Sequence, residues 1–228
     1  SDEDVDVRAE REATTAANGE GPTHPVKLYA LRKVYSNGKV AVRNVTFSIH
    51  DGECFGLLGP NGAGKTTIVS MLTGLYKPTS GRATICNLDM ETQMDQINEL
   101  MGVCPQFDIL WPTLTVEETL VFYLQIKGVP AKDWAESAQN AAAAVELSHA
   151  YTRWVGRLSG GMKRRVSLAI SLLGHPAVVF LDEPTTGLDP QTKRAMWSLI
   201  DVAKDGRSIV LTTHSMEEAD ALCGRIGI

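Results

Sequence analysis

The sequence has no Cys-x-x-Cys pair, and its four cysteines, Cys54, Cys86, Cys104 and Cys223, are scattered along 228 residues. That spacing excludes a disulfide framework and a zinc site, and it predicts reduced, buried thiols in a cytosolic compartment. No apolar run approaches the roughly 20 residues that span a bilayer. No basic segment followed by an apolar stretch marks a secretory leader. Any membrane role therefore needs parts beyond these residues. There is no excess of basic charge either. The net charge of −5 comes from the first twenty residues, where Asp2, Glu3, Asp4, Asp6, Glu10, Glu12 and Glu20 face only Arg8 and Arg11. The remainder is balanced and has no basic stripe, which argues against a nucleic-acid surface as the main function. The sequence starts without Met and stops at Ile228 in what reads as a strand, so a fragment is expected.

What is present suits one domain with a sizeable core, since 43% of the residues are hydrophobic. Residues 1 to about 24 are charged, rich in Ala and Thr, and close on Gly21-Pro22. They are expected to form an acidic flexible linker, either a tether or a plain disordered end. From Val26 to Ile49 short alternating segments flank Asn37-Gly38, a hairpin signal that predicts an opening antiparallel sheet. After Gly52 short apolar strands lead into helices. Cys54–Leu58 precedes a helix from Lys65 to Thr73 that stops at Gly74. Val178–Leu181 and Ser208–Thr212 are further strands. Asp189-Pro190 is a helix start, and Ser215-x-x-Glu218 is a capping box. Strand–helix alternation predicts a mainly parallel α/β sheet covered on both faces. Between about Phe107 and residue 157 no strand interrupts. Thr115-x-x-Glu118 is a second capping box, and Trp134, Ala138, Ala141 and Val145 share one helical face, so a helical subdomain is inserted there. The ordered domain is expected over 25–228, truncated at its C-terminal end.

Gly59-Pro60-Asn61-Gly62-Ala63-Gly64-Lys65-Thr66 fits G-x-x-x-x-G-K-[ST] between a strand and a helix, the context of a P-loop NTPase of RecA-like fold. Its glycines let backbone N–H groups approach phosphate, and the helix N-terminus adds about half a positive charge. Lys65 is expected at the β- and γ-phosphates, Thr66 on Mg²⁺, and Thr67 with them in the nucleotide-binding set. Val178–Leu181 runs into Asp182 and Glu183. A carboxylate beside phosphate suits Mg²⁺ at Asp182, and Glu183 one residue on can polarise an attacking water. The blander reading is a pair of acids capping a helix.

Leu158-Ser159-Gly160-Gly161-Met162, upstream of that acidic strand, narrows the choice, because here the sequence resembles the ABC ATPase family from about Val26 to Ile228. The resemblance implies that Tyr35 stacks on adenine and that Gln106 joins the two subdomains and senses Mg²⁺ and water. It assigns Asp189 of Gly187-Leu188-Asp189 to a loop that communicates across a dimer, and His214 to the γ-phosphate. It also implies that two domains stack head to tail, with Ser159, Gly160 and Gly161 facing the partner's ATP. A helix from Ser159 burying Val166, Ala169, Ile170 and Leu173 could aim its positive end there. Lys163, Arg164 and Arg165 are expected on a solvated face. Met162 stands where the family has Gln, and its thioether loses that polar contact.

The Leu-Ser-Gly-Gly-Met form, with Gly102-Val103-Cys104-Pro105-Gln106 and the segment Thr212 to Asp220, is similar to the eukaryotic A subfamily of ABC transporters, most of all its plant and algal members. The Asp2-to-Arg11 tail resembles the linker of that subfamily between membrane helix and cassette. By kinship this implies a cassette on the cytosolic face of a membrane, a second cassette and transmembrane domains as partners, and a lipid or fatty acid as cargo. Ile109, Leu110, Trp111 and Pro112 fall where the family docks a membrane-domain helix, or else pack within the insertion. The competing reading is a soluble ABC ATPase remodelling a ribosome or chromosome complex. The modest insertion without heptads counts against its chromosomal branch. A cassette that binds ATP without hydrolysing it is opposed by Glu183 and His214.

Overall fold

The computed structural model describes residues 5–16 and 24–227. Asn37-Gly38 turns the chain between β1 (Val26–Val34) and β2 (Val40–Ile49), with Gly38 at φ +80° and the Lys39 N–H bonded to Asn37 Oδ1. The antiparallel register runs from Val26↔Ile49 to Val34↔Val40.

Before this hairpin the structure departs from a flexible linker. Val5–Ala16 form a helix, α1, lying on β2. Glu10 is the anchor. Its carboxylate accepts from the Ser48 N–H at 2.9 Å and from Arg225 Nη1 at 3.0 Å, while Thr14 is buried against Ser48. These partners lie far away in sequence, so composition alone did not reveal them. Gly21-Pro22 lies outside the described residues.

A second sheet begins at β3 (Cys54–Leu58), which leads into α2 (Lys65–Leu72). Helix α2 ends one residue short of the expected Thr73, which is its cap, and Gly74 follows at φ +76° with its N–H on Met71 O. The chain then returns to the first sheet as β4 (Ser80–Ile85) and β5 (Leu88–Asp89), giving the order β2-β1-β4-β5. Neither strand was read from the sequence: β5 is two residues long, and three residues of β4 are exposed. Helix α3 (Met94–Leu100) connects to β6 (Met101–Cys104). Three longer helices follow, α4 (Val116–Ile126), α5 (Trp134–Ala144) and α6 (Gly160–Leu172). The chain ends as β7 (Val178–Asp182), α7 (Pro190–Ala203), β8 (Ser208–Thr213), α8 (Met216–Leu222) and β9 (Arg225–Gly227). The five strands of this sheet are parallel in the order β6-β7-β8-β3-β9.

The parallel sheet separates two cores because successive side chains of a strand point to opposite faces. Val178 and Phe180 of β7 enter a core with α2 and the antiparallel sheet, while Val179 and Leu181 enter one roofed by α4 to α7. Burial on both faces is why this strand is a continuous apolar run. Thr115 and Glu118 form the full capping box at α4. At α8 only half of the box forms. Ser215 accepts from the Glu218 N–H, but the Glu218 carboxylate is buried and receives Thr185 Oγ1 at 2.7 Å and Trp197 Nε1 at 3.0 Å.

Candidate functional site

Four parallel strands deliver residues to one edge, their C-terminal ends, where ligands bind in open α/β sheets. β3 runs into the phosphate loop, β6 into Gln106, β7 into Asp182 and Glu183, and β8 into His214. Gly59 N–H donates to Thr213 O, tying the loop to β8, and Ala63 N–H donates to Pro60 O. Gly64 sits at φ +102°, and a Cβ there would lie 2.6 Å from Ala41 O, so this position accepts only glycine. The loop bounds a cavity of about 300 Å³ lined by Tyr35, Lys39, Ala41, Asn61, Gly62, Gly64, Lys65, Thr66, Thr67, Gln106 and Glu183. Lys65, 7% exposed, donates to Gly59 O and Pro60 O and stands 3.5 Å from Glu183 Oε1. Tyr35 borders the cavity with its hydroxyl 3.1 Å from Thr67 Oγ1 and its ring edge-on to Tyr76.

Asp182 and Glu183 separate into two environments rather than capping a helix together. Asp182 Oδ1 accepts from Thr212 Oγ1 at 2.5 Å and from Thr66 Oγ1 at 3.2 Å. Glu183 is 5% exposed at φ +46°, a left-handed backbone rare for a residue with a side chain. Its Oε2 accepts from Thr186 Oγ1 at 2.9 Å and Gln106 Nε2 at 3.4 Å, with His214 Nδ1 at 3.3 Å. Gln106, Lys65 and His214 thus converge on a single carboxylate. Thr212 and Thr186 were not singled out from the sequence. A threonine directly after the apolar run Ile209–Leu211 is the one sequence signal that could have found Thr212, which the structure buries fully.

The remaining predicted residues gather elsewhere. Ser159 caps α6, accepting from the Met162 N–H, and Ser159 and Gly160 are exposed. Gly161 faces the start of α7 so closely that a Cβ would lie 2.6 Å from Thr192 Cγ2. Thr192 in turn bonds Asp189, which caps α7. The Thr192 hydroxyl, then its N–H, then the Gln191 N–H hold the Asp189 carboxyl below the usual range. Ser159, Gly160, Gly161 and Asp189 therefore form a second cluster, and none of them lines the cavity of the same chain. Met162 packs part of its side chain on the helical core, an apolar use for the position where the family has Gln.

The expectation of a solvated basic face is corrected at its centre. Lys163 and Arg165 are partly exposed, and Arg165 pairs with Glu146, but Arg164 is 4% exposed with every N–H on an acceptor beneath α6. Three consecutive basic residues gave no sign of this, because only the depth of the helix face separates them. In the loop after Gln106, Leu110 packs on the helical core while Phe107, Ile109 and Trp111 are exposed. Phe122 and Ile126 of α4 join them, with the Trp111 and Phe122 rings 4.9 Å apart.

The donor set suits a nucleotide with Mg²⁺. Among the described residues no three His, Cys, Asp or Glu could hold a metal by themselves. Thr66 and Asp182 offer two neighbouring oxygens, the partial set that Mg²⁺ completes with water and phosphate.

Residues 42–186 match the family model described as ABC transporter. The chain is 48% identical over 231 residues to ABC transporter A family member 12 of Arabidopsis thaliana, covering 98% of this chain and 25% of that protein. It is 47% identical over 226 residues to A family member 7 of Dictyostelium discoideum, covering 99% and 27%. It spans about a quarter of the length of these curated relatives. Among solved structures it is similar to cbiO1 of Clostridium perfringens, part of the ABC transporter complex cbiONQ, at TM-score 0.81 and 27% identity, covering 90% of this chain and 87% of that one. The ATP-binding cassette MJ0796, a dimer in a post-hydrolysis state bound to ADP and Pi, gives TM-score 0.77 and 28% identity, covering 86% and 90%.

Proposed function

The chain belongs to the ABC transporter family as its ATPase domain, and we propose that it is one jaw of a head-to-tail pair whose ATP-driven closure moves a lipid or fatty acid across a membrane. The observation that carries the pairing is the split between cavity and signature. The phosphate loop lines one cavity, while Ser159, Gly160 and Gly161 sit on an exposed helix start outside it. A second cassette, from the same polypeptide or another copy, completes each site by bringing its own residues 159–161 to this cavity. The MJ0796 dimer supports this reading.

The family reaction converts ATP and water to ADP and phosphate with Mg²⁺. Backbone N–H groups of Gly62 and Gly64, Lys65 and the α2 N-terminus would bind the phosphates, and Tyr35 the base. Thr66 and Asp182, with Gln106 at the cavity wall, would hold Mg²⁺, which supplies charge neutralisation on the phosphates. Glu183 is assigned as the general base. Its Oε2 is already aimed by Gln106, Thr186 and His214, so it can accept a proton without first reorienting. Lys65 offsets its negative charge beside the phosphates. The partner's residues 159–161 would add charge stabilisation in trans at the phosphates, so hydrolysis depends on pairing.

Phe107, Ile109, Trp111, Phe122 and Ile126 form an exposed apolar patch beside the Gln106 loop, the surface to which we assign a membrane-domain segment on the cytosolic side. Among the described residues no helix is long and apolar enough to cross a membrane, so the proposal assigns membrane crossing to other segments. The lipid cargo rests on kinship with the A family members alone. The test uses the full-length polypeptide in phospholipid vesicles, reading ATP-dependent movement of a fluorescent phospholipid. Movement is expected to stop together with ATPase activity in Glu183→Gln. Movement that persists with ATPase abolished sinks the reading.

The pairing has its own test. ATP should drive the Glu183→Gln form into dimers by light scattering, and adding Ser159→Phe should return it to monomer. Dimers that ignore Ser159 refute the trans assignment.

A further inference from the structure

The buried guanidinium of Arg164 has five N–H donors and all five are used. Nε donates to Pro184 O at 2.7 Å, and Nη2 donates to Asp182 O at 3.1 Å and Glu183 O at 3.3 Å. Nη1 donates to Pro105 O at 2.5 Å and Asp108 Oδ1 at 3.2 Å. Asp108 Oδ1 also receives Ser167 Oγ at 2.7 Å, so α6 grips that loop at two points one turn apart. Three successive carbonyls of the turn after β7 therefore point at a single side chain. That turn contains Glu183 at φ +46°. A non-glycine residue in this region is strained and persists only where its surroundings over-determine it.

The same guanidinium holds the carbonyl of Pro105, the residue before Gln106. One side chain thus fixes both backbones whose side chains meet at 3.4 Å, Gln106 Nε2 and Glu183 Oε2. Arg164 is also rigidly tied to the signature. Ser159 caps the same helix five positions earlier, about 7.5 Å along its axis at 1.5 Å per residue. Among the described residues, no other residue of α6 hydrogen-bonds to the Glu183 turn.

We propose that Arg164 is a positioning residue for hydrolysis, holding Glu183 and Gln106 in register and linking them through α6 to Ser159. A nucleotide engaged at the Ser159 end of the helix then bears on the hydrolytic carboxylate of the same chain, which couples the two sites of a pair. The inference rests on the reading of Glu183 as the base and deepens it.

The test is run in the full-length polypeptide with Arg164→Lys, which keeps the charge but cannot span five acceptors in a planar fork, and with Asp108→Asn as the milder change. A misplacement of about 1 Å can cost on the order of 100-fold in rate. Arg164→Lys is accordingly expected to lower kcat for ATP by about 10- to 100-fold while KM and nucleotide affinity stay within about threefold, with Asp108→Asn following in the same direction by less. Combined with Ser159→Ala, its effect on kcat should be less than multiplicative, because the two residues act through one helix. A kcat within twofold of wild type, a parallel loss of kcat, affinity and melting temperature, or fully multiplicative effects each overturn the proposal. Should Arg164→Lys fail to fold, the same split between kcat and KM in Asp108→Asn decides. Glu183→Gln is measured alongside. Undiminished turnover in that variant refutes the base itself, whereas its loss without an Arg164 effect refutes only the positioning role.

Discussion

Glu183→Gln is expected to lower steady-state ATP turnover by about 10²–10⁴-fold, the usual contribution of a positioned general base, while nucleotide binding is kept. The amide has the same shape, so Thr186, Gln106 and His214 still surround it. It differs in two ways: it cannot accept the proton from water, and it carries no charge. Binding is expected to survive because the proposal assigns the phosphate contacts to the loop from Gly59 to Thr66, and Lys65 keeps its bonds to Gly59 O and Pro60 O. Removing the negative charge 3.5 Å from Lys65 also leaves more of that ammonium for phosphate. Affinity for ATP is therefore expected to hold or rise. A coupled assay for kcat and a fluorescent-nucleotide titration for affinity separate the two effects. Turnover unchanged from wild type would falsify the assignment of Glu183 as base.

Gly102→Ala is expected to cost about 3 kcal/mol of stability, the upper range for overpacking, although it adds one methyl group. A Cβ at Gly102 would lie 1.8 Å from the Ser171 carbonyl oxygen and 2.9 Å from its carbon. Those are backbone atoms of α6, so no rotamer change relieves the clash. Either β6 or α6 must move. Helix α6 carries Ser159 at its start and Arg164 beneath it, and β6 leads to Gln106. A shift at this contact thus reaches the site as well as the core. The urea midpoint should fall, and ATP turnover of the folded fraction should fall with it. An unchanged midpoint would mean that strand and helix do not approach this closely. Gly160, by contrast, has open space around its Cβ position, so its alanine variant should leave the midpoint nearly unchanged.

How much of this was legible before the coordinates depends on how local each signal is. The Gly59–Thr66 loop is a contiguous run whose glycines, lysine and threonine the proposal assigns to one ligand, and it reads directly. The strand into Asp182 and Glu183 reads because burial on both faces demands an unbroken apolar run. The full cap at Thr115 and Glu118 is equally local. Residues 80 to 89 gave no comparable pattern, and the return of β4 and β5 to the first sheet went unread.

Arg164 and Glu10 show the opposite limit. Arg164 sits between Lys163 and Arg165 with no local mark, and its acceptors come from residues 105, 108 and 182–184. Glu10 is one acid among seven in an acidic tail, yet it holds Ser48 and Arg225 across the fold. In both, the deciding quantity is desolvation with a partner distant along the chain, which a linear pattern does not carry. Ser215-x-x-Glu218 failed by half for the same reason, since two buried donors outcompete a local cap. The order of residues alone was enough to read a glycine-rich loop, an acidic strand and a family signature, because each is a short contact set along the chain. Their arrangement came from the parallel sheet. It drew Gln106, Asp182, Glu183 and His214 to one edge, left Ser159 and Asp189 outside that cavity, and buried one basic residue of the three at 163–165. Packing and solvent exclusion act between segments far apart in the chain, and only in the folded state do those segments meet.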